Sequence, residues 1–202
     1  MDKIKASQFA ELAYYSRFIL LPTEYQQVEW LLNPSSGQYI DTGVEAGSVK
    51  GFETKIYMVG VSGSWKAGFG CNSTVAGNFY CGVMNSAGYI ALGSSNTTFT
   101  ANADHILQYL NGTLTIDGDS KGAKSWTAYD STTLKLFRFG AGNTSQTDTK
   151  IYYFKVYDAS GLIRDLIPCY RKSDNKTGMY DVLGRTFYPN LGSGEFTLGN
   201  NV

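Results

Sequence analysis

Apolar and polar positions change rhythm once along the chain. Up to Leu20, apolar side chains fall at helical spacing: Phe9, Leu12, Ala13, Ile19 and Leu20, behind Ser7, which can cap a first turn, and ahead of Pro22, which ends the run. This predicts a short amphipathic helical arm over residues 1–21. Its apolar face either packs on its own domain or binds a partner. From Glu24 onward the rhythm is that of short strands. Turn residues recur about every ten positions, at Asn33 to Gly37, Ser62 to Ser64, Gly70 to Gly77, Asn111-Gly112, Asp117 to Gly122, Gly140 to Thr149 and Ser173 to Gly178. That cadence predicts an all-β domain over residues 22–202, a sandwich or a barrel.

The segment HILQYLNGTLTID, residues 105–117, is the clearest local signal. Asn111-Gly112 is a preferred two-residue type I′ turn. With that turn Leu110 faces Thr113, Tyr109 faces Leu114, Gln108 faces Thr115 and Leu107 faces Ile116. Tyr109, Leu114, Leu107 and Ile116 then share one apolar face, so turn and register agree. Further along, strict alternation places Leu134, Leu136 and Arg138 on one side of a strand and Lys135, Phe137 and Phe139 on the other. In Lys150 to Tyr157 it puts Tyr152, Phe154 and Val156 on one face and Ile151, Tyr153, Lys155 and Tyr157 on the second. No repeat of fixed period is present.

Composition narrows the function. Of the 202 residues 43% are hydrophobic and 17% charged, enough apolar side chain for a core. Lys+Arg 17 balances Asp+Glu 17, and with no basic run the chain is not expected to bind nucleic acid. No stretch is long and apolar enough for membrane insertion, and Glu11 and Arg17 interrupt the place of a signal-peptide core, so synthesis in a cytoplasm is expected. Cys71, Cys81 and Cys169 lack a metal-pair spacing and are expected to be free thiols, although Cys71 and Cys81 could face each other across a hairpin. With His105 the single histidine, neither metal nor cofactor is expected.

Candidate chemistry is sparse. Asp41-Thr42-Gly43 has the form of an aspartic-protease triplet, but no second Asp-Ser/Thr-Gly supplies the partner carboxylate that such catalysis requires. The bland alternative is a strand, Gln38 to Ile40, running into a turn. A glycosidase would need paired carboxylates about 5–5.5 Å apart if retaining, and Glu11, Glu24, Glu29, Glu45, Glu53 and Glu195 show no such pairing. His105, beside Asp104, could serve a nucleophile but reads as an edge-strand residue. Aromatic side chains near loops are better candidates. Trp65, Trp126 and Tyr129 offer rigid apolar area with a polar edge, suited to sugar faces or a protein partner. Alternatively both tryptophans close the ends of the core. Trp30 reads as core.

Two blocks carry a resemblance: LPTEYQQVEWL with SGQYIDTGV near the start, and KIYYFKVYDASGLIRDLIPCYRKSDNKTGMYDVLGRTFYPNLGSGEF near the end. They resemble proteins of gut bacteria and their viruses whose domain is similar to the concanavalin A-like lectin/glucanase jelly roll, of the laminin-G-like kind. The resemblance spans most of residues 21–202. It implies a two-sheet antiparallel β-sandwich in which the Asp-Thr-Gly segment belongs to the first strand. The Glu-x-Asp-x-x-Glu signature of the glucanase branch is missing. The resulting expectation is a non-enzymatic bacteriophage virion protein, a head fibre, capsid decoration or tail-tip component. It would dock other virion proteins or its own copies through Phe9, Leu12, Ile19 and Leu20, and contact host-surface glycans through Trp65, Trp126 and Tyr129. The alternatives are a bacterial carbohydrate-binding or adhesion domain at the cell surface and a divergent glycoside hydrolase.

Overall fold

The computed structural model of the chain describes residues 21–35, 37–60, 66–71, 79–84, 86–93, 95–126, 132–139 and 148–202. The expected arm, with Phe9, Leu12, Ile19 and Leu20, lies outside the described residues, as do Trp65 and Tyr129. Among the described residues the strands are β1 (Tyr25–Gln27), β2 (Leu31–Asn33), β3 (Ile40–Glu45), β4 (Gly51–Met58), β5 (Lys66–Cys71), β6 (Phe79–Met84), β7 (Ala87–Leu92), β8 (Ser95–Thr100) and β9 (Asp104–Leu110). They continue with β10 (Thr113–Ile116), β11 (Asp119–Ala123), β12 (Thr133–Leu136), β13 (Thr149–Asp158), β14 (Gly161–Arg171), β15 (Lys176–Asp181), β16 (Thr186–Pro189) and β17 (Thr197–Leu198). The helical content described is a single 3-10 turn, Ala46–Ser48.

The strands form two antiparallel sheets, as the alternating patterns predict. The larger runs β11-β10-β9-β4-β13-β14-β15-β16, with β1, β2 and β17 attached; the smaller runs β3-β12-β5-β6-β7-β8. Their inner faces meet through aromatic rings. Phe52 on β4 lies 5.3 Å from Phe69 and 5.2 Å from Phe79 of the smaller sheet, and Phe69 lies edge-on to Phe154 of β13 at 4.8 Å. All four side chains are fully buried. The sheets come close enough that a Cβ added to Gly68 would stand 3.0 Å from both Ile56 and Met58.

The 105–117 hairpin has the expected register, with Leu110 opposite Thr113, Tyr109 opposite Leu114, Gln108 opposite Thr115 and Leu107 opposite Ile116. Asn111 at φ 50° and Gly112 at φ 76° supply the left-handed pair that a type I′ turn needs. Asp41-Thr42-Gly43 lies inside β3 rather than beyond it. A bulge there, with Gly43 at φ 68°, sets Asp41 opposite Lys135 and Glu45 opposite Thr133.

The sequence reading fails at three places, twice in strand alternation and once in a core assignment, each for a local reason. A bulge at Tyr152 carries Ile151 round to the core face with Phe154 and Val156, leaving Tyr152 outside. The strand β12 ends at Leu136, and Phe137, at φ 63°, turns inward against Phe196 at 4.7 Å instead of facing out with Lys135. Trp30 is half-buried on the outer side, where the Lys150 ammonium sits 4.7 Å from its ring and 5.1 Å from that of Tyr57. A position between two short strands suits an indole that covers a lysine stem better than one that fills the core.

The first strands are closed by the last. The strand β2 pairs with β13 on one side and β17 on the other, and Val28 bridges Asn201. The longest strand, β14, orders the molecule from end to end. Tyr25, just after the chain arrives at Leu21, pairs with Arg171 at one pole; Asp158 pairs with Gly161 at the other. Ten residue steps along β14 separate these poles by roughly 33 Å.

Two measurements check this fold. Gly112→Val forces a β-branched residue into left-handed backbone and is expected to cost about 1–2 kcal/mol in urea unfolding. The three cysteines are free and buried, burial pushing the Cys169 thiol up to about 12 and raising that of Cys81 as well. A thiol reagent at neutral pH without reductant is therefore expected to find none in the native protein and all three after denaturation.

Candidate functional site

The far pole gathers aromatic side chains from segments distant in the chain. Tyr109, near the end of β9, and Tyr157, near the end of β13, reach the same pole because both strands flank β4: Phe52 pairs with Tyr109, whose ring joins the core, and Gly51 pairs with Tyr157, whose ring stands on the outer face beside Leu110. Lys50, Asn111, Asp158 and Ser160 complete an open cleft of about 550 Å³. The turns that close it are built from their own side chains. Asp158 Oδ1 accepts hydrogen bonds from the Ser160 amide (2.7 Å) and hydroxyl (2.6 Å), which hold the Asp158 carboxyl below the usual carboxylate range. The Lys50 ammonium donates to the Gly47 carbonyl at 3.1 Å.

Both tyrosines stay protonated well above neutral pH. Burial raises Tyr109, and burial with the nearby carboxylates of Glu53 and Asp165 raises Tyr157. The Tyr109 hydroxyl donates to the Lys124 carbonyl at 2.9 Å, and the Lys124 amide donates to the Gly112 carbonyl at 2.7 Å. This strap leads the chain to Trp126 at the same pole, on the core side rather than in the cleft. Its ring is half-buried and lies 4.9 Å from Phe79, so the indole rests on the rim of the core. At Gly93 an added Cβ would meet the Ser125 carbonyl at 2.6 Å, which is why a glycine lies beneath this segment. Of the three aromatic side chains singled out in the sequence, Trp126 is thus placed at the far pole. Sequence reasoning missed Tyr157 with Asn111 as neighbours, since only the pairing of β9 and β13 with β4 brings them to one cleft.

The sequence's other chemical candidates have structural partners. Asp41 accepts from the Gly43 amide at 3.0 Å and the Thr133 hydroxyl at 2.7 Å, and Lys135 lies 3.7 Å away. It ties the β3 bulge to β12. Among the described residues no group of three His, Cys, Asp or Glu side chains converges as a metal site would.

His105 belongs to an Asp–His–Thr array. Its Nδ1 is 2.6 Å from Asp117 Oδ2, and its Nε2 is 3.0 Å from Thr100 Oγ1. Hairpin register could have found the Asp117 partner, because a turn at 111–112 brings residue 117 beside residue 106. The array is not arranged as a nucleophile with its base. The Thr100 carbonyl is nearer to Nε2, at 2.7 Å, and a carbonyl only accepts, so Nε2 donates to it and cannot take the hydroxyl proton. Its effect is to tie the end of β8, in the smaller sheet, to the start of β9, in the larger.

No family model matches the chain, and no curated protein matches it.

The Asp117 carboxyl is the titrating part of this tie. Burial opposes its charge, but the Ile106 amide, the His105 ring and the charge of Lys121 outweigh burial and lower it. A carboxyl lowered by folding adds stability above its unfolded value, near pH 4, and loses it as pH falls through the folded value. Asp117→Asn is therefore expected to destabilise the protein at pH 6–7, with the gap to the parent closing in acid below about pH 4. Melting temperatures of both proteins across that range check it.

Proposed function

We propose that this chain is a non-catalytic virion protein of a bacteriophage, a head-fibre, capsid-decoration or tail-tip component that displays a concanavalin A-like, jelly-roll sandwich for contact with glycans on the host surface. The supporting observation is the separation along β14: the chain enters the sandwich at Leu21 beside one pole, and the cleft at Tyr157 occupies the other. A domain anchored through residues 1–21 would present the cleft away from its attachment.

In this reading Phe9, Leu12, Ile19 and Leu20 dock the arm on other virion proteins or on further copies of the chain. Trp126, with Trp65 and Tyr129 as further aromatic contacts, serves ligand binding together with Tyr157. The Tyr157 hydroxyl, kept as a donor, with the Asp158 carboxylate and the Asn111 amide beside it, matches the mixed polar and apolar surface of a sugar. A bacterial carbohydrate-binding or adhesion domain would use the same cleft; the apolar stripe of the arm favours the virion reading. The Asp–His–Thr array, with Nε2 committed to a carbonyl, argues against hydrolysis.

The test compares the full chain with one beginning at Leu21, by light scattering and on a glycan array. The full chain is expected to self-associate and the shorter one to remain a folded monomer. Tyr157→Ala is expected to weaken array binding about tenfold, the loss of a few contacts worth roughly 1.4 kcal/mol. Assembly that survives removal of the arm, or hydrolysis of any polysaccharide tested, would refute the proposal.

A further inference from the structure

The outer face of the larger sheet carries an aromatic cluster at the pole where the chain enters. Pairing register puts Ile167 of β14, Tyr180 of β15 and Phe187 of β16 in one row on that face, and Cys169 with Gly178 in the next. Tyr25 of β1 and Arg171 of β14 end the face at the pole. Two strands separate Tyr25 from Phe187, yet their ring centroids are 5.2 Å apart, and the Tyr25 ring lies 4.9 Å from that of Tyr180. The side chains lean together over Cys169 and Gly178. A Cβ added to Gly178 would meet the Phe187 ring at 2.8 Å, so the glycine lets that ring lie on the sheet. Ile167, Cys169 and Tyr180 are buried; Tyr25 and Phe187 are half-buried and form the outermost layer.

The opening of the chain is fixed beside these rings. The Tyr25 amide donates to the Pro22 carbonyl at 2.9 Å, the Lys172 amide to the Glu24 carbonyl at 2.9 Å and the Lys172 ammonium to the Thr23 carbonyl at 2.9 Å. Residues 22–25 are thereby committed to a turn held on the end of β14. Arg171, 5.6 Å from the Phe187 ring, is committed as well, donating to both carboxylate oxygens of Asp174 at 3.0 and 2.6 Å. What the cluster offers a partner is the open sides of two rings.

The sequence supplies the occupant. Residues 1–20 carry Phe9, Leu12, Ile19 and Leu20 at helical spacing and join the sandwich beside the rings. A helix so short needs packing to persist. The connection decides which copy provides it. Only Leu21 lies between Leu20 and Pro22, and a residue before proline is held extended. One extended residue spans about 3.3 Å, less than the roughly 5–6 Å radius of a helix with its side chains. An arm therefore cannot rise and turn back to lay its stripe on the rings of its own chain, whereas the arm of a second copy carries no such tether. Reciprocal exchange gives two equal contacts about a twofold axis.

We propose that Tyr25 and Phe187 receive residues 1–20 of a second copy of this chain, with Phe9, Leu12, Ile19 and Leu20 packing on the open sides of the two rings. This pairing rests on the reading of residues 1–20 as a docking arm and names what they dock on. Sedimentation of the full chain over a range of concentrations tests it, together with a photo-cross-link. The full chain is expected to form a dimer whose dissociation constant rises about tenfold in Phe187→Gln and in Leu12→Gln, each of which exchanges apolar surface for an amide. With a benzophenone amino acid in place of Leu12, irradiation is expected to give a dimer-sized product in which peptide mass spectrometry places the link at Tyr25 or Phe187. Should Phe187→Gln fail to fold, the cross-link, which leaves the sandwich unaltered, still decides the matter. A dimer that Phe187→Gln leaves as tight as the parent, or a link from position 12 to another surface, overturns this pairing and leaves the arm a docking element. A link at Tyr25 or Phe187 in a monomer-sized product puts the arm on its own chain and overturns the pairing too. A full chain that stays monomeric at every concentration overturns the pairing together with self-association through the arm.

Discussion

The contact between Phe52, Phe69, Phe79 and Phe154 is the constraint on which the rest of this structure depends. The two sheets meet through a continuous buried core, and these rings lie at its centre. All four are fully buried at edge-on and stacked distances, and each contributes about 1.5–3 kcal/mol of burial beyond the pair geometry. The far-pole cleft inherits its shape from this cluster. Trp126 rests on Phe79, and Tyr109 lies 6.2 Å from Phe52, so the core beneath this pole stands on the same rings that join the sheets.

Outside the core, the two sheets meet water differently. The larger covers its outer face with long cations over aromatic rings. Lys150 is held between Trp30 and Tyr57, and Lys55 lies 4.2 Å over Tyr152 while pairing with Asp104 at 2.9 Å. Burial, and then the hydrogen bond to Asp104, keep the Tyr152 hydroxyl protonated. These side chains satisfy one another, which shields the sheet. The smaller sheet instead sets Gly70 and Ala91 beside Tyr80, whose ring stacks on Phe139.

The sequence was legible where structure is local. Asn111-Gly112 dictates a turn, the turn dictates the register, and the four apolar side chains of residues 107–116 then fall on the face that the core needs. It was illegible where a single residue breaks the period of two. Nothing near Tyr152 or Phe137 announces a bulge or a left-handed bend; each arises because tertiary packing holds Ile151 or Phe137 in place at the expense of alternation, whereas Gly43 does mark its bulge but reads equally as a turn. The candidate sites divide in the same way. Trp126 could be singled out as an aromatic side chain near a turn, whereas Tyr80 with Phe139 is a ring pair 59 positions apart in the chain. The misplacement of Trp30 has a related cause, since hydrophobicity alone does not tell a core indole from one that covers a lysine.

The closure of β2 by β17 bears on how the molecule is made. Leu31 and Leu32 find one partner in β13, more than a hundred residues later, and the other only in Thr197 and Leu198. On a ribosome that emits about 5–20 residues per second, the opening segment must wait many seconds with apolar side chains and unpaired strand edges uncovered. Contacts of such long sequence separation also slow folding once the chain is released. Successful maturation thus turns on what shelters residues 25–33 during that interval.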